Sequence, residues 1–568
     1  MPPMPSGFEL DSKRLGSLPL VNHFVGRLRF EHILRRHLPR PDSRVQLETI
    51  PALGVLLRNL IVAHSPLYSV GEWARGFVPS LLGLRATQVP LLNDDRVGRA
   101  LDQLFEADRR ALLTELVVHM VREFDVALEQ FHNDSTTLSL QGEYRRATGT
   151  RVRGKPTVVV TYGHSKDHRP DLKQLLWILT ISHDGAVPVH FKVADGNTED
   201  STTHVETWEV LRRLVGSANF LYIADSKLCT RPNLKHIHSS GGRFITVMPR
   251  TRQEDRRFKD WLQHHVPAWA EVVRKPHPRL KHGPPDVFSA CASPIPDGDG
   301  FRLLWFQSTH KMERDAQARR DIIQSASKAL GQLQAKLDGA RPRVRSRTAV
   351  ANAVEKILKE KGAARWIAYT LTASAEPHYH QEKRGRPGHK TRWRRELRTR
   401  VHLDFSPRAD HIAYDARGDG IFPLLTDCVD FSFAQVLEAY KSNQPMVEQR
   451  HNLLKNVEAA TPLYLKSISR IEALLFVHFV ALMVHALIER QVRTAMATKQ
   501  VPGLPLYPED RDCKAPSTAR ILEVFATIPR HLLYQRGQLV QRFDPELTTL
   551  QVTILKLLGV PTEAYRER

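Results

Sequence analysis

Residues 471–488, IEALLFVHFVALMVHALI, constrain this chain more than any other stretch. Such a run approaches the ~20 apolar residues that a bilayer-spanning helix needs. Glu472, His478 and His485 interrupt it, and ionisable groups are expensive in hydrocarbon. A helix apolar all round must be covered all round. The expectation is therefore a buried core helix packed against a sheet, with no membrane involved. The N-terminus, MPPMPSGFELDSKR, has no apolar h-region of the kind that marks a secretory leader. Cys229, Cys291, Cys428 and Cys513 lie far apart and form no CxxC pair. That argues against a local zinc module or a disulfide framework and fits a reducing cytoplasm.

A length of 568 residues suggests about three or four domains. Residues 1–127 read as a helical domain. Leu18, Leu20, Val21, Phe24, Val25 and Leu28 have helix-like spacing. Asn93-Asp94-Asp95 is an N-cap cluster ahead of the stripe Val97, Leu101, Leu104 and Phe105. From about 128 the pattern turns to strands at 131–140, 157–162, 175–182 and 189–193. A helical segment at 204–214 separates these from short strands at 220–224 and 244–248. Consecutive strands favour antiparallel pairing, and a helix between two strands favours a parallel crossover. The order is that of a ribonuclease-H-like α/β core, whose first half is 128–250. Residues 251–410 read as a mixed α/β insertion, with strands near 301–306, 366–371 and 401–405 and a long polar helix near 310–338. The core resumes over 411–498, with a strand at 420–425 and a helix from about 433 that Pro445 must interrupt. Residues 499–568 read as a helical tail.

Three acidic residues sit where chemistry is possible. Asp134 lies in the strand-like FHNDSTTL, Asp225 ends the strand-like FLYIADS, and Glu448 lies on the helical QPMVEQRHNLLK. The plain alternative for either aspartate is a local turn or strand-end hydrogen bond. Converging in space, the three could hold a pair of Mg²⁺ ions, with Mn²⁺ as a substitute. Carboxylate oxygens suit Mg²⁺, which keeps positions open for phosphate and water. Two such ions roughly 3.5–4 Å apart stabilise both the attacking and the leaving oxygen of an in-line displacement. The formal net charge of +22 makes nucleic acid the natural partner.

FHNDSTTL and YIADS resemble the first two catalytic blocks of DDE transposases from bacterial insertion sequences. Glu448 and Lys455 match the E-x(6)-K part of the third block, Y-x(2)-R-x(3)-E-x(6)-K, of the insertion-sequence-4 superfamily. TYGHSKDHRPDLKQLLW, residues 161–177, looks like a hallmark of its 1634-type group, and LGSLPLVNHF and NDDRVGRALDQLF resemble that group's N-terminal domain. The likeness runs along nearly the whole chain. It departs at Gln444, where the pattern has Arg, and at Lys441, where it has Tyr; Tyr440 stands one place earlier. The resemblance implies an enzyme that binds the terminal inverted repeats of double-stranded DNA. It would cleave the ends by metal-dependent hydrolysis and join the 3′-OH ends to target DNA. Asp134, Asp225 and Glu448 would hold two Mg²⁺. It further implies a homodimer in the synaptic complex and a place in the bacterial cytoplasm with the nucleoid.

The candidate DNA contacts follow from charge and spacing. Lys455 lies two helical turns from Glu448, on the same face. Tyr440 and Arg450 are candidates to stand in for the altered positions, and Lys166 and Arg169 belong to the basic loop GHSKDHRPD. Arg384 and Arg386 belong to Arg384-Gly385-Arg386-Pro387, which resembles an AT-hook. An Arg-Gly-Arg of that kind lies in the narrow minor groove. Residues 381–400 hold nine Lys and Arg against two Glu. The plain alternative is a solvated surface lysine for Lys455, a structured turn for the loop of Lys166 and Arg169, and a solvated basic hairpin tip for Arg384 and Arg386. Two further functions fit the sequence: a catalytically inactive DNA-binding derivative, and a ribonuclease-H-like nuclease without strand transfer.

Overall fold

The computed structural model describes residues 7–40, 44–63, 65–277, 283–339, 346–460, 465–509 and 511–566, without the side chains of 456–460. The chain divides into two compact units, residues 1–246 with 436–568, and residues 247–435.

The first unit begins with β1 (Phe8–Arg14) and a set of helices that includes Leu18–Arg27, Thr49–Val62, Asp94–Glu106 and Arg109–Phe124. Asn93 caps the third of these, its Oδ1 accepting the Arg96 amide at 2.8 Å. Then come β2 (Gln130–Leu140), β3 (Lys173–Ser182), β4 (Pro188–Ala194), β5 (Leu221–Ala224) and β6 (Arg243–Val247), in spatial order β4-β3-β2-β5-β6. The pairs β2/β3 and β3/β4 are antiparallel, and β2/β5 and β5/β6 are parallel. The helix His204–Val215 makes the crossover from β4 to β5. β3 is buried along almost its whole length, as its unbroken apolar run requires.

Residues 157–162 form bridges at Val159 and Thr161 and no full strand. Two of the backbone donors there are taken by side chains. The Val158 amide donates to Glu472 Oε1 at 3.0 Å and the Val159 amide to Asp195 Oδ1 at 2.7 Å.

The apolar run lies on the helix Ile468–Thr498, whose most apolar window is entirely buried inside the protein. Phe479 stacks on Phe191 of β4 with centroids 4.7 Å apart. Its carboxylates are answered inside. Glu472 pairs with Arg109 at 2.9 Å, and Glu489 pairs with Arg450 at 2.8 Å.

The C-terminal stretch differs from the expected helical tail. It holds the helices Thr518–Phe525 and Thr549–Leu558 and also a hairpin, Pro529–Gln535 with Gln538–Phe543. The two-residue loop Arg536-Gly537 has positive φ at both positions, the backbone of a tight hairpin turn. Pro529–Gln535 pairs antiparallel with β1, from Phe8↔Gln535 to Arg14↔Pro529. The two ends of the chain are thus joined, and the N-terminal stretch is not purely helical.

The second unit contains β7 (Ala270–Lys275), β8 (Asp286–Ala292), β9 (Arg302–Ser308), β10 (Ile367–Gln381), β11 (Trp393–Pro407) and β12 (Ile421–Thr426). Four of them are antiparallel neighbours in the order β12-β9-β8-β7. β10 and β11 form a separate hairpin, in register from Ile367↔Pro407 to Gln381↔Trp393. Its base packs with the helices Thr309–Leu337 and Arg347–Lys361 through Leu330, Val354, Leu358, Ile367, Val401 and Leu403. Its outer half is exposed.

Candidate active site

β2 and β5 run parallel, with Asn133 paired to Ala224 as the last partners of the ladder. The next residue on each strand is an aspartate, Asp134 on β2 and Asp225 just past β5. Neighbouring strands lie about 4.8 Å apart, so the two carboxylates emerge side by side at one edge of the ladder. The extended backbone of two strands thus does what no local sequence pattern could do.

The chain reaches Glu448 through two helices, Phe433–Ser442 and Gln444–Ala460, broken at Asn443. Pro445 sits in the first turn of the second helix, where its missing N–H costs nothing. Val447, Arg450, His451 and Leu454 are buried, and Glu448 is exposed. Tyr440, at the end of the preceding helix, is buried beside the acids. Burial, then the charges of Asp225, Asp134 and Glu448, push its phenol well above the ordinary value. One hydroxyl therefore lies in the field of all three carboxylates.

The two aspartates titrate in opposite directions. Burial pushes Asp134 up, but the His451 imidazole, the Lys166 ammonium and the Ser135 amide outweigh it and hold the carboxyl below its ordinary value. Burial raises Asp225, and the charges of Asp134 and Asp200 raise it further against the Lys227 amide and Lys166. Two neighbouring carboxylates with diverging values make a plausible chemical centre in physical terms.

Three residues here escaped the sequence reading. His451 Nε2 lies 3.6 Å from Asp134 Oδ2, and neither of its ring nitrogens has a hydrogen-bond partner among the described residues. It stands three places after Glu448, a helical spacing that could have flagged it. Asp200 Oδ2 accepts from Ser135 Oγ at 2.7 Å and pairs with Lys166 Nζ at 2.9 Å. No local pattern marks Asp200 or Ser135.

The residues expected on DNA are placed unequally. Lys455 pairs with Asp167 of the 163–171 loop at 2.5 Å, on the same helix as Glu448. Lys166 turns inward to Ser135 and Asp200. Arg169 is exposed and pairs with Asp171 at 2.8 Å. Arg384 and Arg386 are exposed at the tip of the β10–β11 hairpin. Arg450 corrects the sequence reading: it is 0% exposed and donates to Glu489 Oε2 at 2.8 Å. Two residues are about 200° of helical turn, so Arg450 faces away from Glu448 and into the core.

The donor set suits a hard cation, since it is made of carboxylate oxygens. Among the described residues no three His, Cys, Asp or Glu side chains close on one point. Mg²⁺ asks for less, since one or two carboxylates with substrate phosphate and water complete its shell. The residues fit an ion bound partly by substrate.

Residues 10–118 match a family model described as a domain of unknown function (DUF4277). No curated protein matches the chain. Among solved structures, a piggyBac transposase synaptic complex with hairpin DNA aligns over 90% of this chain and 78% of that one, at 8% identity and a TM-score of 0.37. A Mos1 transposase paired-end complex with the left transposon end aligns over 38% of this chain and 63% of that one, at 10% identity and a TM-score of 0.14. Scores this low do not establish a shared fold.

Proposed function

We propose that this chain is a DDE-type DNA transposase of a bacterial insertion sequence, of the insertion-sequence-4 superfamily and its 1634-type group. The reading is carried by one observation: Asp134 and Asp225 follow directly on the last paired residues of adjacent parallel strands, with Tyr440 in the field of both and of Glu448. The strand order β4-β3-β2-β5-β6, three antiparallel members and two parallel additions, supports a ribonuclease-H-like core. The N-terminal match, to a domain found in transposases, agrees with it.

In this reading the chain binds the terminal inverted repeats, cleaves the element ends and joins the freed 3′-OH to target DNA as a homodimer in the bacterial cytoplasm. Two Mg²⁺, when bound, supply Lewis-acid stabilisation of the attacking and leaving oxygens. Asp134, Asp225 and Glu448 would hold them. Lys455, on the same helix, neutralises a phosphate once DNA displaces Asp167. Arg384 and Arg386 reach a groove from the exposed hairpin tip, and Arg169 lies on the loop beside the acids. Tyr440, buried beside the carboxylates, stays protonated, because burial and their charges raise its phenol well above the ordinary value.

The test uses labelled ends made from the DNA flanking the gene, a target plasmid, and Mg²⁺ or Mn²⁺. Cleavage followed by joining is the expected result. Nicking without joining would leave a nuclease, and binding alone an inactive derivative. Asp134→Asn, Asp225→Asn and Glu448→Gln should each lower cleavage by about 1,000-fold, since the chemistry loses several kcal/mol of charge stabilisation. End binding should survive in all three.

A further inference from the structure

We propose that Lys166 and Asp200 form a positioning pair that holds the Asp134 carboxylate ready for a divalent cation. The inference rests on the metal-dependent reading above.

A lysine ammonium has three N–H donors and no acceptor. Here all three have partners: Nζ lies 2.6 Å from the Ser135 carbonyl, 2.7 Å from Ser135 Oγ and 2.9 Å from Asp200 Oδ2. Ser135 Oγ in turn donates to Asp200 Oδ2 at 2.7 Å, which closes a triangle of lysine, serine and aspartate. The Ser135 amide donates to Asp134 Oδ1 at 2.8 Å. Ser135 is therefore gripped at its amide, carbonyl and hydroxyl. The group that orients Asp134 Oδ1 is the amide of a residue whose other polar atoms Lys166 and Asp200 hold. Lys166 Nζ itself stays 4.0 Å from Asp134 Oδ1, within reach of charge and beyond a hydrogen bond. The Lys166 amide adds a donor bond to Thr137 Oγ1 at 3.2 Å, so the loop is fastened to β2 at two points. A lysine so engaged has no donor left for a DNA phosphate. Asp200 begins the short turn Asp200–Thr203 ahead of the His204–Val215 helix, so the pair ties that turn to the strand bearing Asp134.

Charge and position predict opposite effects, which makes the inference testable. If Lys166 merely offset negative charge, its removal would let a cation bind more tightly. If it positions Asp134, its removal should weaken binding, as loss of a partner behind a metal ligand typically does by about 10–100-fold. The experiment titrates Mn²⁺ into metal-free full-length protein by calorimetry. It compares wild type with Lys166→Met, Asp200→Asn, the double variant and Asp134→Asn, and measures melting temperature and end binding for each. Weakening by about 10–100-fold is expected in both single variants. The double should be no worse than the poorer single, because the two act as one unit. End binding should stay at the wild-type level. Equal or tighter Mn²⁺ binding by Lys166→Met, additive losses in the double, or weakened end binding by Lys166→Met alone would overturn the proposal. Should the methionine variant fail to fold, Lys166→Gln, which keeps an N–H donor but drops the charge, faces the same criterion. Asp134→Asn binding Mn²⁺ like wild type would instead remove the metal-site reading itself.

Discussion

Asp134 and Asp225 differ by environment alone, and metal-free stability should show it. Asp134 titrates below its ordinary value in the folded protein. It contributes stability above the unfolded value of about 3.9, and loses it as pH falls through the lowered folded value. Asp225 titrates above its ordinary value. Its contribution is complete below the unfolded value and is lost as pH rises through the raised folded value, so at neutral pH its charge opposes folding. Without metal at pH 7, Asp134→Asn should therefore lower the melting temperature and Asp225→Asn should raise it. Both differences should shrink toward pH 3. Thermal unfolding followed by circular dichroism measures this, and equal signs for the two variants would count against the electrostatic account. Arg450 belongs to this scale too. A buried pair broken on one side costs about 3–5 kcal/mol. Arg450→Ala should show that loss in urea unfolding, while the folded fraction still binds element ends as wild type does. The two-residue spacing of Arg450 from Glu448 puts it on the opposite helix face, a cue the choice of Arg450 as a DNA contact overlooked. The identity of its partner, Glu489, was not readable from either residue's neighbours.

At the scale of elements, the β10–β11 hairpin separates stability from binding. The base of the hairpin is packed on Leu330, Val354 and Leu358, whereas its tip touches no core. Replacing Arg384 and Arg386 together with alanine should leave the melting temperature unchanged and weaken DNA binding. Two fewer cations on the duplex release fewer counterions and would lower the slope of log K against log salt by about 1.8. A gel-shift series in salt measures this, and an unchanged slope would mean that the tip stays in water. The composition of 381–400 made the tip legible, because nine cations in twenty residues find no core to enter. The lengths of β10 and β11 were not legible, since their outer halves carry no apolar alternation and are held by cross-strand hydrogen bonding. The strand expected at 157–162 failed for the opposite reason. Its residues suit a strand, but Glu472 and Asp195, distant in the chain, take the amides of Val158 and Val159.

For the whole molecule, the Ile468–Thr498 helix and the β1 pairing bring distant segments into one compact unit. Phe479→Ala should cost about 3–5 kcal/mol and lower the stability of the N-terminal helices and the β2–β6 sheet together. Hydrogen exchange should show both segments losing protection in parallel; loss confined to one would argue that they fold separately. The sequence alone determined the parts whose causes are local. Period-two and period-3.6 patterns placed the core strands and helices, and an all-round apolar run required a buried helix. Spacing on one helix put Glu448 and Lys455 together. Only the tertiary structure decided which distant side chains meet. The parallel register of β2 and β5 brings Asp134 beside Asp225, and the fold carries Asp200 and Lys166 to Ser135. It also buries Arg450 against Glu489 and pairs the first strand with one near the C-terminus. These contacts bridge tens to hundreds of residues. Their free energy comes from burial and charge pairing among groups whose sequence neighbours carry no record of them.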